Sequence, residues 1–162
     1  MKQLIIFRHG KAEKDTMAKD DYDRVLTERG RRNAYDMGAF ILKKTGVPDL
    51  ILTSSAKRAH ETAIMAAESI GYPEADIQTD QNLYFAPERW IMNVLSKLPD
   101  NINSCIFVGH NPGLTDLINS LGVQLDNLPT ASTACFEFNV DSWKEVSTGQ
   151  ANFKWLKIAK EL

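Results

Sequence analysis

The sequence predicts an α/β fold: a three-layer α/β/α sandwich around a mostly parallel central sheet. Three observations carry this. Short apolar runs such as Leu4-Ile5-Ile6-Phe7 and Cys105-Ile106-Phe107-Val108 recur along the chain, too short for helices but suited to buried strands. Between them lie segments whose apolar residues repeat at helical spacing. The two kinds of segment alternate through residue 121, as they do where helices cover both faces of a parallel sheet.

Leu4–Phe7 is the first strand. Residues 8–26 are polar and turn-like, and the charge run Lys11–Arg24 reads mostly as a solvated loop. Thr27 is an N-cap candidate for the first helix. That helix carries Ala34, Met37 and Ile41 on one face and is stopped by Gly46-Val47-Pro48. Leu50–Thr53 is the second strand. Ala56–Ile70 is the second helix, with Ala59, Ala63, Ala66 and Ile70 aligned, closed by Gly71 and Pro73. Ile77–Thr79 suits a small strand. Pro87 suits the first turn of a third helix containing Trp90, Ile91, Val94 and Leu95. Cys105–Val108 is the next strand, and Leu114, Leu117, Ile118 and Leu121 form the face of a fourth helix. Residues 134–140 and 151–158 suggest two last strands. No repeat or linker intervenes, so residues 1–162 read as one domain.

Composition narrows the function classes. The chain has 162 residues, 43% hydrophobic and 25% charged, the balance of a soluble domain with one core. Its net charge of −2 argues against nucleic-acid or anionic-membrane binding, which needs a basic excess. No run approaches the roughly 18 apolar residues of a membrane span. The N-terminal apolar run ends at Arg8, short of a signal-peptide core. Cys105 and Cys135, the two cysteines, supply neither a disulfide framework nor a four-thiolate zinc site. Both lie in apolar runs and read as buried thiols, which fits a cytoplasmic location.

In a sheet of this kind, ligands gather beyond the carboxyl ends of the strands. The first strand ends in Arg8-His9-Gly10. The second ends in Thr53-Ser54-Ser55, with Arg58 in the first turn of the helix beyond. The strand ending at Val108 runs into Gly109-His110-Asn111-Pro112-Gly113. Two arginines and two histidines can thus meet at one sheet edge. Forked guanidinium donors match phosphate oxygens, and helix N-termini add N–H groups and a positive dipole end. Nearby positive charge disfavours imidazolium, so a histidine in such company stays neutral at pH 7, and a neutral imidazole is a nucleophile. The residues point to phosphoryl transfer through a histidine. Each has a plainer reading. A lone histidine is usually a core or surface residue, and His60, inside a helix, is read that way. Arg8 or Arg58 alone could be an ion-pair partner. For His9 and His110 the shared position at strand ends favours the functional reading.

Several other chemistries fail on spacing. Asp21-Tyr22-Asp23-Arg24-Val25 matches the D-x-D-x-[TV] string of aspartate-nucleophile phosphatases, but no buried strand precedes it. A thiol phosphatase needs C-x5-R, and the positions six after the cysteines are Asn111 and Asp141. Gly109-x-Asn111-x-Gly113 has the shape of a hydrolase elbow with an amide in place of the nucleophile. There is no P-loop string. A metal site is weak as well, since no H-x-H or H-E-x-x-H exists and two arginines would repel a cation.

The order RHG after the first strand, DRVLTERGRRNA, TSSAKRAHETA after the second, and then VGHNPGLTDL resembles the histidine phosphatase superfamily, with its phosphoglycerate-mutase-like fold. Within it the chain is most similar to the short SixA-type phosphohistidine phosphatases, which PTASTACFEF and the basic Lys154–Lys160 ending also fit. The resemblance spans essentially the whole chain. It implies that His9 attacks phosphorus and becomes a transient phosphohistidine, while Arg8, Arg58 and His110 hold the phosphoryl oxygens. Arg24 matches an arginine of that branch's D-x-x-R-x-L-T segment and would reach the same pocket. No metal or other cofactor is implied.

Many phosphoester-cleaving relatives carry a glutamate as leaving-group acid where this chain has Asn82–Glu88, and no carboxylate stands at the expected place. Glu88 falls on the following helix. Such an acid is worth about 10²–10⁴-fold and matters most for alkoxide leaving groups. Its absence favours a phosphohistidine substrate. The chain also leaves no room for a lid insertion, so a phosphorylated protein could approach the site. Two alternatives stand beside this one: a phosphatase of small phosphorylated molecules, and a non-catalytic phosphate-binding module.

Overall fold

The computed structural model describes residues 1–14 and 20–162. Six strands form one sheet: β1 (Lys2–Arg8), β2 (Leu50–Ser54), β3 (Gln78–Asp80), β4 (Ser104–Gly109), β5 (Thr133–Phe138) and β6 (Ala151–Lys157). Their order is β3-β2-β4-β1-β5-β6. β1 to β4 pair in parallel, β5 runs antiparallel to β1, and β6 antiparallel to β5. The sheet is therefore mixed but mostly parallel. The two antiparallel strands follow the point where the strand–helix alternation stops.

Four helices complete the three layers: α1 (Glu28–Thr45), α2 (Lys57–Ile70), α3 (Glu88–Ser96) and α4 (Gly113–Ser120). Alternation along the strands assigns them to faces. Ile5, Phe7, Ile51, Ile106 and Val108 pack against Met37 and Ile41 of α1 and the alanine face of α2. Leu4, Ile6, Leu52 and Phe107 pack against Ile91 and Leu95 of α3 and Leu114, Leu117 and Ile118 of α4. The interiors of β1, β2 and β4 are buried on both sides, so they read in sequence as unbroken apolar runs.

The helix ends carry the capping chemistry that the sequence predicts. The Thr27 side chain accepts a hydrogen bond from Gly30 N at 3.0 Å, capping α1. Gly46 and Gly71 end α1 and α2 with φ of 81° and 87°. Differences are small. Pro87 is the N-cap of α3 rather than a residue of its first turn, and the third strand lies one residue later than expected. Cys105 and Cys135 are buried free thiols whose burial pushes both pKa values up to about 12.

The loop after β1 is where expectation and structure part. It is not simply a solvated run. Ala12 bridges to Leu26, and Asp21–Asp23 forms a 3-10 turn directed back to the sheet edge. Residues 15–19, where the sequence shows no strand before Asp21, lie outside the described residues. The loop sits tightly on the start of α1: a Cβ on Gly30 would lie 2.2 Å from the Lys11 carbonyl oxygen. Only glycine allows that approach.

Candidate active site

Parallel register brings the predicted residues together. Arg8 pairs with Gly109 across β1 and β4, so the next residues, His9 and His110, leave the sheet side by side. Their rings stand 5.2 Å apart at 55°. β2 lies on the other side of β4 and supplies Ser54 at its end, and Arg58 follows in the first turn of α2. Arg8, His9, Arg24 and Arg58 line one cavity of about 380 Å³, together with Lys11, Phe85 and Asn111. Four of the five predicted site residues thus line it, and the ring of the fifth, His110, stands at a tilt against those of His9 and Phe85, which also line it. His60 is half-buried on α2 and does not line it.

The tautomers follow from the hydrogen bonds. His9 Nδ1 lies 2.7 Å from the Gly10 carbonyl oxygen, which can only accept. Nδ1 therefore carries the hydrogen and Nε2 keeps its lone pair. For His110 the controlling group is Ser54. The Ser54 hydroxyl accepts from Ala56 N at 3.2 Å and sits 2.9 Å from His110 Nε2. Among the described residues the Ser54 hydrogen has no other acceptor, so it goes to Nε2. His110 Nδ1 then bears the N–H. This atom is buried and has no partner.

Both imidazoles are held neutral. Burial, and then the charges of Arg58, Arg8 and Arg24, lower the His9 pKa to about 3 against the opposing Gly10 hydrogen bond. Burial, and then the proximity of His9 and Arg58, lower that of His110 to about 3. A proton on either ring would be both desolvated and repelled.

Arg58 is 1% exposed. Its Nη1 donates to the Asp21 carbonyl at 2.7 Å and its Nη2 to the Asp21 carboxylate at 3.0 Å. Asp21 Oδ1 accepts from Arg24 Nη1 at 3.0 Å, and Oδ2 accepts from the Tyr84 hydroxyl. Burial would raise the Asp21 pKa, but the hydrogen bonds from Tyr84 and Arg24 and the charge of Arg58 outweigh it and hold it at about 2. Asp21 is an ionised clamp that fixes two arginines without itself lining the cavity. Arg8 is fixed in the same manner by Nη1 donating to the Leu128 carbonyl at 3.0 Å. In both arginines the buried Nε is left unpartnered. The ion-pair reading of Arg58 and the functional one are thus compatible, because the pair uses the Nη atoms and spares Nε.

The loop segments of the site were not foreseen as such. Asp21 opens the D-x-D-x-[TV] string that fails as an aspartate-nucleophile motif. It is indeed no strand-end nucleophile, yet it organises the site. Tyr84 and Phe85 stand over Arg58, with its guanidinium carbon 5.8 and 5.5 Å from the ring centres, and Phe85 lies 5.1 Å from the His110 ring. Phe85 is 51% exposed and holds a φ of 53°. An exposed phenyl ring in the left-handed region is uncommon and is maintained here at the cavity mouth. The available signal was the Tyr-Phe pair directly before Ala86-Pro87. The Glu88 carboxylate accepts from Ser120 Oγ on α4 and does not line this cavity. Among the described residues no three metal-ligating side chains cluster.

Comparison with known proteins identifies the family and the fold. A chloroplastic protein of Arabidopsis thaliana, itself uncharacterized, is 28% identical over 153 residues, which span 89% of this chain and 70% of its own length. An uncharacterized protein of Mycobacterium tuberculosis is 32% identical over 106 residues, 65% of this chain and 63% of its own, so the match spans less than two thirds of that relative. The fold is shared with the protein histidine phosphatase SixA complexed with tungstate (TM-score 0.83, 20% identity, 98% of both chains). It is also shared with a SixA protein from Nakamurella multipartitia (TM-score 0.84, 19% identity, 96% of this chain and 95% of that one). A mycobacterial glucosyl-3-phosphoglycerate phosphatase superposes less closely (TM-score 0.68, 16% identity, 98% of this chain and all of that one, 100%). The family model of the histidine phosphatase superfamily (branch 1) matches residues 4–84, and the chain belongs to that superfamily.

Proposed function

We propose that the chain is a metal-independent phosphatase that dephosphorylates phosphohistidine in proteins, with His9 as nucleophile. One observation carries the chemistry. Three buried nitrogens without partners, Arg8 Nε, Arg58 Nε and His110 Nδ1, belong to residues gathered around the neutral ring of His9. Leaving a buried donor unsatisfied costs about 1–3 kcal/mol. Three at one place make a site built for an acceptor with three oxygens, which a phosphoryl group is.

His9 Nε2 attacks phosphorus in line, forming a P–N bond as the bond to the leaving group breaks. Gly10 holds the opposite ring hydrogen and so fixes the attacking edge. The two guanidinium groups and His110 N–H take the three equatorial oxygens and stabilise their charge in the transition state. Arg24 extends the positive wall. Water then cleaves the phosphohistidine intermediate, releasing phosphate and restoring neutral His9. Fixed cations supply the charge neutralisation that a metal gives elsewhere.

The substrate reading rests on what could protonate the leaving group. Asp21 is ionised and bound to two arginines, and Glu88 is turned to α4. An alkoxide would leave poorly from such a site. A histidine leaving group needs only a proton from solvent as the P–N bond breaks. The similarity to SixA proteins supports the same reading.

The decisive experiment runs wild type and His9→Ala in EDTA on p-nitrophenyl phosphate, a phosphohistidine protein and a panel of alkyl phosphates. Wild type is expected to turn over the aryl ester and to prefer phosphohistidine, while His9→Ala loses turnover and the acid-labile phosphoenzyme. Loss of wild-type activity on chelation would overturn the metal-free mechanism. A preference for an alkyl phosphate would transfer the site to small phosphoesters.

A further inference from the structure

A second cavity of about 370 Å³ adjoins the first and shares Lys11 and Thr130 with it. It lies between the start of α1, which contributes Arg29 and Asn33, and the end of the chain after β6, which contributes Lys160. Lys11, Arg29 and Lys160 are all exposed, and none makes an ion pair among the described residues. Around the first cavity Lys14 and Arg24 continue the same sign. No aspartate or glutamate among the described residues lines either cavity, although acids outnumber bases in the chain by 21 to 19. The nearest acid on the terminal segment is Glu161. Its carboxylate accepts from its own backbone at Ile158 N, 3.0 Å away, and so is occupied locally.

Asp21 compensates Arg24 and Arg58 in the first cavity, but among the described residues no carboxylate lines the second cavity or pairs with Lys11, Arg29 or Lys160 there. The phosphoryl group accounts for Arg8 and Arg58 in the first cavity. It does not account for Arg29 and Lys160, which stand in the second. We infer that the second cavity is an anion subsite that takes acidic side chains next to the phosphohistidine of the protein substrate. This rests on the phosphoprotein reading above and adds what the enzyme recognises beside the phosphoryl group. Lysine and arginine at an exposed rim suit carboxylates on a flexible segment, and the attraction weakens with salt.

The test uses Arg29→Gln/Lys160→Gln, which leaves the residues of the first cavity intact, and Lys97→Gln/Lys144→Gln as a charge-matched control elsewhere. Substrates are phosphohistidine peptides flanked by Glu or by Gln. Wild type is expected to favour the Glu peptide about five- to tenfold in kcat/KM, the yield of two exposed charge contacts. The preference should reside in KM. It should vanish in Arg29→Gln/Lys160→Gln and survive in the control, with p-nitrophenyl phosphate turnover unchanged throughout. Equal losses in both double variants would overturn the subsite. A parallel arm measures direct binding of an unphosphorylated, fluorescently labelled oligoglutamate peptide at low salt. If no phosphohistidine peptide is turned over, the phosphoprotein reading fails on its own, and the oligoglutamate arm still decides the subsite: binding weakened only by Arg29→Gln/Lys160→Gln supports it, and no difference from the control removes it.

Discussion

Keeping two histidines neutral in a cationic pocket has a consequence for stability that can be worked out from the structure. His9 is 8% and His110 3% exposed, and both have folded pKa values near 3 against an ordinary 6.5. The folded value is depressed, so the unfolded chain takes up protons first as pH falls. Stability from these groups is complete above about pH 6.5 and is lost progressively down to about pH 3. Between pH 7 and pH 5 each histidine destabilises the fold by about 2 kcal/mol and the pair by about 4 kcal/mol. The magnitude is insensitive to the folded value, because any folded pKa below about 4 leaves the native rings unprotonated at pH 5. A loss of this size is a large part of the about 5–15 kcal/mol that holds a typical domain together. The assay is urea unfolding at pH 7 and pH 5 for wild type and for His9→Gln/His110→Gln, whose amides cannot titrate. The wild type should lose about 4 kcal/mol more than the double variant over this interval. His60 is present in both and cancels. Asp21, with a pKa of about 2 against 3.8, loses its contribution only in more acidic solution. If the two proteins lose the same stability to within about 1 kcal/mol, the histidines are not held neutral by their surroundings, and the account of His9 as a standing neutral nucleophile fails with it.

Two further substitutions probe the supports of the site. Ser54→Ala removes the hydroxyl that sets the His110 tautomer, and kcat on p-nitrophenyl phosphate should fall about tenfold with KM little changed, one hydrogen bond of ordinary net strength. A drop confined to KM would mean that Ser54 does not act through His110. Gly30→Ala places a methyl group 2.2 Å from the Lys11 carbonyl oxygen. Overpacking of this kind costs about 1–3 kcal/mol, and thermal unfolding should show a Tm lower by about 3–10 °C; an unchanged Tm would show that the loop after β1 yields freely.

The parts of the molecule that could be read in advance share a physical cause. Leu4–Phe7, Leu50–Thr53 and Cys105–Val108 are buried on both faces, so their apolar character is local and visible. Parallel pairing then aligns their carboxyl ends, and residues placed just past those ends must be neighbours. His9, His110, Arg8 and Arg58 were therefore legible from position alone. Asp21, Tyr84 and Phe85 obey no such periodicity. Asp21 sits 37 positions from Arg58 and 63 from Tyr84, and its place is decided by contacts with those partners rather than by its own segment. A charged stretch looks solvated whichever way it folds, because the same residues that suit water also suit a buried guanidinium.

The carboxylate also explains how the site tolerates its own charge. Arg8, Arg24 and Arg58 around one cavity would repel one another, and burial adds a penalty for each. Asp21 offsets this from outside the cavity lining, drawing Arg24 Nη1 and both Nη atoms of Arg58 while leaving Arg58 Nε unpartnered. A carboxylate facing the cavity would compete with phosphate. One held on the Nη atoms outside the lining stabilises the arginine without competing. The same clamp keeps Asp21 ionised and so denies it the role of leaving-group acid. Holding the arginines ready for phosphate and lacking a protonated carboxylate are, in this site, two results of one set of hydrogen bonds.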